Sequence, residues 1–313
     1  MKIIFSLVAV IFALSPVLAQ KPATKTVAAD APTSKIINAA QLLLDDQTLS
    51  ADEMAGRGIG TAGGIKAREY IAAQFKTAGI ESFGESYFQP FEVTARNGAK
   101  INGANVVGYI EGKQFKDKYI VVSAHYDHLG TIKGEIYNGA DDDASGTAAL
   151  FAIAEYFSKN KPAHSIIFAA FDGEESGLRG SRAFVTAPPV KKESIALNIN
   201  MDMIAHNDKN ELYASGTFHY PNLKPTLEQI AKSTKVKLLI GHDRPEQKND
   251  DWTNQSDHFA FHQAKIPFIY FGVEDHNDYH RPTDDFVNIN QEFYVRAVET
   301  ILEAVKSFDK DLK

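Results

Sequence analysis

Histidines and carboxylates gather at five places in the sequence, most of them at or soon after a short apolar run. The clusters are His125-Tyr126-Asp127-His128, residues 138–146 (NGADDDASG), residues 172–177 (DGEESG), Asp202 within Met-Asp-Met, and Asp278-Tyr279-His280. Imidazole nitrogens and carboxylate oxygens are ligands for zinc, and a catalytic zinc site keeps one position open for water. These residue types therefore predict a metal centre, provided that the fold brings the clusters together.

Taken singly, each cluster is more typical of a solvated turn or loop than of a ligand set. Asp202 is the most informative residue, because a carboxylate at the end of an apolar strand is costly to bury unless it is paired or metal-bound. Two imidazoles and three carboxylates suit two zinc ions if one carboxylate bridges them, since their charges and that of a hydroxide then balance. Magnesium and manganese sites usually contain fewer histidines.

The elements around these clusters alternate between apolar strands and amphipathic helices. Strands are predicted at residues 105–110, 119–124, 165–171, 195–201 and 266–272, and helices at 62–78 and 145–157 and over a closing segment. On the closing helix, Tyr294, Ala297, Val298, Ile301 and Phe308 share one face. This pattern predicts a single α/β domain, a mostly parallel central sheet with helices on both faces. Ligands bind beyond the carboxyl ends of strands in such sheets, so the clusters are expected to converge.

A glycine-rich segment, Gly58-Ile-Gly60-Thr-Ala-Gly63, matches the dinucleotide-binding fingerprint but lacks its context. That fingerprint follows a β-strand, whereas residues 49–57 (LSADEMAGR) are polar and turn-like. We interpret it as a loop that enters a helix. The sequence contains no P-loop, HExxH or G-x-S-x-G motif.

Composition excludes several classes of function. The net charge of −7 argues against a protein that binds nucleic acids in general. The absence of cysteine excludes thiolate zinc sites, iron–sulfur clusters and cysteine nucleophiles. Residues 1–19 combine Lys2, an apolar run and Val17-Leu18-Ala19, which is typical of a signal peptide rather than a membrane anchor. We expect an exported protein of the bacterial periplasm or exterior with no stable membrane association, a flexible leader at 20–34 and a catalytic domain at 35–313.

The ordered motifs from His125-x-Asp127 to Tyr279-His280 resemble the co-catalytic two-zinc aminopeptidases of the bacterial leucyl aminopeptidase type. The resemblance extends through Gly-Ala-Asp-Asp-Asp-Ala-Ser-Gly and Glu-Glu-x-Gly-Leu-Arg-Gly-Ser, and upstream to residues 49–80. The same family is related to glutamate carboxypeptidase, glutaminyl cyclase and the transferrin-receptor ectodomain. It implies a three-layer zinc-exopeptidase fold, two zinc ions per chain and peptide substrates.

The resemblance also implies a role for each site residue. Asp142 would bridge the two metals. His125 and Asp202 would complete one zinc site, and Glu175 and His280 would complete the other. Asp127 would orient His125 through the second ring nitrogen. Glu174 would act as the general base on a zinc-activated water, and Tyr279 would donate a hydrogen bond to the oxyanion. A cis peptide bond is implied between Asp142 and Asp143.

Three alternatives remain open at the level of sequence. A carboxypeptidase or dipeptidase would use a closely similar metal set, and this is the hardest rival to exclude. Glutaminyl cyclase-like acyl transfer needs one zinc, whereas all five ligand positions are kept here. A non-catalytic binding protein would be expected to have lost ligands. Side-chain preference, native metal, oligomeric state and physiological substrate are not indicated by the sequence.

Overall fold

The computed structural model of the chain describes residues 32–94 and 98–312. The signal peptide that we predict at 1–19 lies outside the described residues, as does most of the leader predicted at 20–34. Within that leader, the Thr33 carbonyl accepts a hydrogen bond from Arg296, and the Ser34 hydroxyl donates one to Glu299. No helix of the described segments is long and apolar enough to span a bilayer.

An eight-stranded mixed sheet forms the centre of the molecule, in the order β1-β2-β6-β3-β7-β10-β8-β9, and β4 and β5 form a separate hairpin. The strands are β1 (Phe88–Thr94), β2 (Lys100–Ile110), β3 (Phe115–His125), β4 (Gly130–Ile132), β5 (Glu135–Tyr137), β6 (His164–Phe171), β7 (Ile195–Met201), β8 (Glu211–Ser215), β9 (Lys237–Ile240) and β10 (Phe268–Gly272). The four neighbours β6, β3, β7 and β10 are parallel, while β1, β2 and β8 join through antiparallel pairs.

In the part of the chain that the structure describes, seven α-helices cover the sheet. They are α1 (Ala39–Leu49), α2 (Ala62–Thr77), α3 (Gly146–Lys159), α4 (Arg179–Thr186), α5 (Lys224–Ala231), α6 (His258–Gln263) and α7 (Gln291–Asp311). Alternate residues of β3 belong to different cores, since Ile120 and Val122 pack on the side of α1, α3 and α7, whereas Val121 packs with Phe184 of α4 and Phe261 of α6. The predicted α/β class, with helices on both faces of the sheet, is confirmed.

The strongly patterned elements lie where the sequence predicts them. The apolar face of α7 is buried at all five predicted positions, and α2 begins after Thr61, whose hydroxyl accepts the Gly64 N–H. A 3-10 segment, Asp52–Arg57, precedes the glycine loop where a dinucleotide site would need a strand. The outer strands β1, β8 and β9 were not predicted: β8 and β9 are short, and β1 alternates between exposed and half-buried residues on the edge of the sheet.

Candidate metal centre

The site lies at the carboxyl ends of the four central parallel strands. His125 is the last residue of β3, Asp202 follows β7, and Glu174 and Glu175 follow β6. Tyr279 and His280 lie on the segment after β10, and Asp142 lies in the turn Ala140–Ser145 that leads into α3. Because neighbouring parallel strands end at the same edge of a sheet, these side chains meet in one cleft.

Asp142 occupies the centre of the cluster and its two oxygens face different partners. Oδ1 lies 3.2 Å from His125 Nε2, and Oδ2 lies 3.1 Å from His280 Nε2. His125 Nε2 is also 3.4 Å from Asp202 Oδ1, and His280 Nε2 is 3.3 Å from Glu175 Oε2. The five residues predicted as ligands are thus brought together, in the two groups that the resemblance implies.

His128 joins the second group, although the sequence reasoning gave it no role. Its Nδ1 lies 2.7 Å from Glu175 Oε1 and 3.6 Å from Asp142 Oδ2. Ligand atoms of His128, Asp142 and Glu175 all lie within 4.8 Å of one another, as do those of His125, Asp142 and Asp202. The signal for His128 was its place at the end of the His-x-Asp-His run, which does not distinguish a ligand from a neighbour.

The ring of His128 and the carboxylate of Glu175 fit a metal better than they fit each other. Both ring nitrogens of His128 and Oε1 of Glu175 are buried without a hydrogen-bond partner, even though Nδ1 and Oε1 are close. Unpartnered buried polar atoms are costly. A divalent cation among imidazole and carboxylate ligands would satisfy them, which is the donor set that zinc accepts.

Asp127 supports the site differently from the interpretation made on sequence. His125 Nδ1 lies 3.0 Å from the main-chain carbonyl of Asp127 and 3.8 Å from its Oδ1. The carboxylate instead accepts the backbone N–H of Glu174 at 3.0 Å. Asp127 therefore contacts His125 chiefly through its backbone carbonyl, while one oxygen of its carboxylate holds the Glu174 loop.

The cluster shifts the protonation of its carboxylates in opposite directions. Burial, together with the charges of Asp202, Asp257 and Glu175, raises the pKa of Glu174 well above its usual range. Burial opposes the ionisation of Asp142, but the neighbouring histidine rings outweigh it and hold the pKa of Asp142 well below its usual range. Carboxylates with separated pKa values suit different roles, one as a base and the other as a permanent anion.

Arg57 is a buried residue that the sequence reasoning missed, and it fixes two of the ligand-bearing loops. Its guanidinium donates at 2.5–2.8 Å to the carbonyls of Leu49, Tyr126, Asn138 and Gly139. Two of these carbonyls immediately precede the Ala140–Ser145 turn, and Tyr126 adjoins His125. A lone arginine in a polar segment carries no signal of burial, so only the packing identifies this role.

The turn that carries Asp142 is held by hydrogen bonds from neighbouring segments. The Asp284 carboxylate accepts the N–H groups of Asp141 and Asp142, and the Asp143 carboxylate accepts those of His125 and Gly146. The peptide bond between Asp142 and Asp143 is cis, as the resemblance implies. Gly139 has a φ of 58°, and a Cβ there would collide with the Asp142 carbonyl and the His128 ring.

The cleft above the cluster has a volume of about 320 Å³ and is lined mainly by acidic and apolar groups. Asp275 lines it beside the carboxylates of the cluster, and Leu178, Met203 and Trp252 contribute apolar surface. Tyr279 also lines the cleft and stacks on His280, with ring centroids 4.0 Å apart. Among the described residues that line the cleft, none is a lysine or an arginine.

Comparison with known proteins agrees with this architecture. Peptidase family M28 matches residues 105–305, which hold the whole cluster. A probable zinc metalloprotease from Pyrenophora teres f. teres is 29% identical over 268 residues, 80% of this chain and 54% of that protein. The chain spans about half the length of the curated relatives it matches, or less.

Two solved structures have the same fold. A zinc aminopeptidase from Bacillus subtilis superposes with a TM-score of 0.71 at 17% identity, covering 87% of this chain and 96% of that one. A glutaminyl cyclase from Porphyromonas gingivalis has a TM-score of 0.71 at 19% identity, covering 87% and 99%. At these identities the likeness concerns the fold alone. The family match extends over well more than half of the sequence, and the chain belongs to peptidase family M28.

Proposed function

We propose that this chain is a zinc-dependent aminopeptidase that removes residues from the N-terminus of peptides. Membership of a peptidase family and the convergent histidines and carboxylates support a metallopeptidase. The observation that carries the choice of peptide end is the lining of the cleft, where Asp275 is an acidic group outside the proposed metal ligands and neither lysine nor arginine occurs among the described residues. A carboxylate that is free of metal favours the ammonium group of a peptide N-terminus, whereas a C-terminal carboxylate is usually bound by a basic group.

The proposal includes two zinc ions, with Asp142 between them. His125 and Asp202 would hold one, and Glu175 and His280 the other, with His128 close enough to contribute. When bound, zinc polarises a carbonyl and acidifies water. Replacing His125 with Ala should lower the zinc content of the purified protein, measured by elemental analysis. An unchanged zinc content would contradict its role as a ligand.

Glu174 and Tyr279 would perform the proton transfers and hydrogen bonding of the reaction. Glu174 is placed beside the cluster but makes none of the close imidazole contacts of Glu175, so its carboxylate is available to take a proton from water and pass it to the leaving amine. Burial and the nearby anions raise the pKa of the Tyr279 hydroxyl, so it stays protonated and able to donate to an oxyanion.

The experiment uses one peptide with a free or an acetylated N-terminus, incubated with the zinc-loaded protein and followed by mass spectrometry. Shortening from the N-terminus only when the amine is free is the expected result. Shortening at the C-terminus would overturn the proposal in favour of a carboxypeptidase, and so would the absence of cleavage at either end, in favour of a dipeptidase or a non-peptidase. Glu174→Gln protein purified in parallel controls for contaminating peptidases.

Glutaminyl cyclisation is the second candidate, favoured by the fold that the chain shares with a cyclase. A peptide that begins with glutamine separates the two reactions, because cyclisation releases ammonia and keeps the residue, whereas hydrolysis releases free glutamine. We expect free glutamine. A product that has lost only ammonia would place the chain with the cyclases.

We also propose that residues 1–19 direct export and are removed, which places the enzyme in the periplasm or outside the cell. N-terminal sequencing of protein recovered from a bacterial periplasm should begin after Ala19. Recovery of the intact N-terminus from the cytoplasm would contradict export.

A further inference from the structure

A second group of metal-type ligands lies beside the proposed catalytic cluster and shares none of its residues. His206 follows β7 by a few residues, and His276 and Asp278 lie on the segment after β10. A ring nitrogen of each histidine and a carboxylate oxygen of Asp278 lie within 4.8 Å of one another. The loops that follow two neighbouring parallel strands thus supply one compact set of two imidazoles and one carboxylate.

The rings of His206 and His276 lie too close together for both histidines to be protonated without repulsion. The centroids of His206 and His276 are 3.9 Å apart with an interplanar angle of 30°. Two cations at that separation would repel each other. His206 Nδ1 is buried without a hydrogen-bond partner and lies 3.8 Å from Asp278 Oδ2. That distance is too long for a hydrogen bond but suits two ligands of one cation.

The remaining groups of the set are oriented as metal ligands usually are. His276 Nε2 lies 2.9 Å from the buried carboxylate of Asp141, which leaves the lone pair on Nδ1, and Nδ1 accepts a long hydrogen bond of 3.3 Å from the Asp278 N–H that a bound cation would displace. A carboxylate on the far nitrogen of a ligating histidine fixes the tautomer and raises the basicity of the ring. The other oxygen of Asp278 accepts the Thr283 hydroxyl at 2.6 Å, which fixes this carboxylate too.

We propose that His206, His276 and Asp278 form an additional divalent-metal site, separate from the two zinc positions of the proposed aminopeptidase. Two imidazoles and a carboxylate select zinc or a neighbouring transition metal over calcium and magnesium, which prefer oxygen ligands. The three side chains are 11–22% exposed, so an ion can reach them and water can complete the coordination.

The additional site would be connected to the proposed catalytic cluster by two short paths along the chain. Asp141, which faces His276, adjoins Asp142, and Asp278 is followed directly by Tyr279 and His280. An ion here would tie the segment after β7 to the segment after β10. Its loss is therefore expected to weaken substrate binding, raising KM more than it lowers kcat.

The test is Zn²⁺ binding by equilibrium dialysis and elemental analysis of the full chain and its variants. His206→Ala should bind about one ion fewer per chain than the wild type. His219→Ala is the matched control, because His219 is also half-buried and packs beside a second histidine ring but contacts Thr253 rather than a carboxylate. It should bind as much zinc as the wild type.

A variant without the catalytic ligands separates this site from the proposed active site. The double variant His125→Ala/His280→Ala should retain a bound zinc that disappears when His206→Ala is added. Circular dichroism checks that each variant is folded, and His206→Gln replaces His206→Ala if the latter is not. Equal zinc content with and without His206, in either background, would overturn the additional site and leave the aminopeptidase proposal untouched.

Discussion

At the scale of single residues, the different surroundings of Glu174 and Glu175 carry the division of roles that we propose for them. Glu175 approaches His128 and His280, whereas Glu174 faces the cleft with a raised pKa. Adjacent side chains after a strand point in different directions, so one sequence pair can supply both a ligand and a base. The pair Glu-Glu predicts this division only together with the fold.

Replacing Glu174 with Gln should abolish most of the peptidase activity while leaving the metals in place. The amide keeps the size of the side chain but cannot accept the proton, so we expect kcat to fall at least about a hundredfold. Steady-state kinetics check the loss of activity, and elemental analysis of the same preparation checks that the metals are retained. Turnover at the wild-type rate would remove Glu174 from its role, and loss of zinc would make it a ligand instead.

His258 should make the stability of the protein depend on pH below neutrality. It is fully buried, and burial lowers its pKa to about 3 from the ordinary 6.5. Between pH 6.5 and 3 the unfolded chain therefore binds a proton at His258 that the folded chain does not bind. The free energy of unfolding is highest above pH 6.5 and falls as the pH drops towards 3. The shift predicts a loss of about 2 kcal/mol between pH 6.5 and 5.

Urea denaturation at both pH values checks this expectation, with His258→Gln as the comparison. Glutamine can keep the hydrogen bond that the ring makes to the Trp252 carbonyl but does not titrate. The variant should lose about 2 kcal/mol less than the wild type over this pH interval. Parallel pH profiles for the two proteins would show that His258 is not the titrating group.

At the scale of elements, the 3-10 segment Asp52–Arg57 and the turn Ala140–Ser145 form one unit through Arg57. Arg57→Met would leave four buried carbonyls without their donor, which we expect to cost about 3–5 kcal/mol of unfolding free energy. Arg57→Lys should recover little of it, because an ammonium cannot reproduce the fork of the guanidinium.

Urea denaturation measures the unfolding free energy of the Arg57 variants, with Arg182→Met as the control variant. Arg182 is exposed on α4, so its replacement should change stability by no more than about 0.5 kcal/mol. Zinc affinity should fall together with stability in Arg57→Met, because the turn that carries Asp142 loses its support. A variant as stable as the wild type would show that water replaces the guanidinium at little cost.

At the scale of the whole molecule, the fold concentrates like charges in one cleft of a chain whose net charge is already −7. A cation that binds this cluster only in the folded state stabilises it, by about 2.7 kcal/mol at a hundredfold excess over Kd. Chelation should therefore lower Tm by about 5–10 °C, and added zinc should restore it. Calorimetry with and without chelator checks this, and an unchanged Tm would contradict a tightly bound metal.

The sequence by itself determined the fold class, the central strands and five of the residues that meet in the candidate metal centre. These features are local: β3, β6, β7 and β10 each contain a short apolar run, and most of the polar motifs stand at or soon after a strand or before α3. The order of the motifs also carried the family resemblance, which the match to peptidase family M28 bears out. Periodicity and residue type are enough to read such features.

Only the tertiary structure decided which side chains act together. The roles of Arg57 and His128, the backbone contact of Asp127 and the pairing of His206 with His276 all join segments far apart in the chain or depend on side-chain direction. The outer strands β1, β8 and β9 are likewise set by their neighbours in the sheet, because β8 and β9 are short and β1 has no fully buried residue. Such contacts arise from packing in three dimensions, which no local pattern of residues encodes.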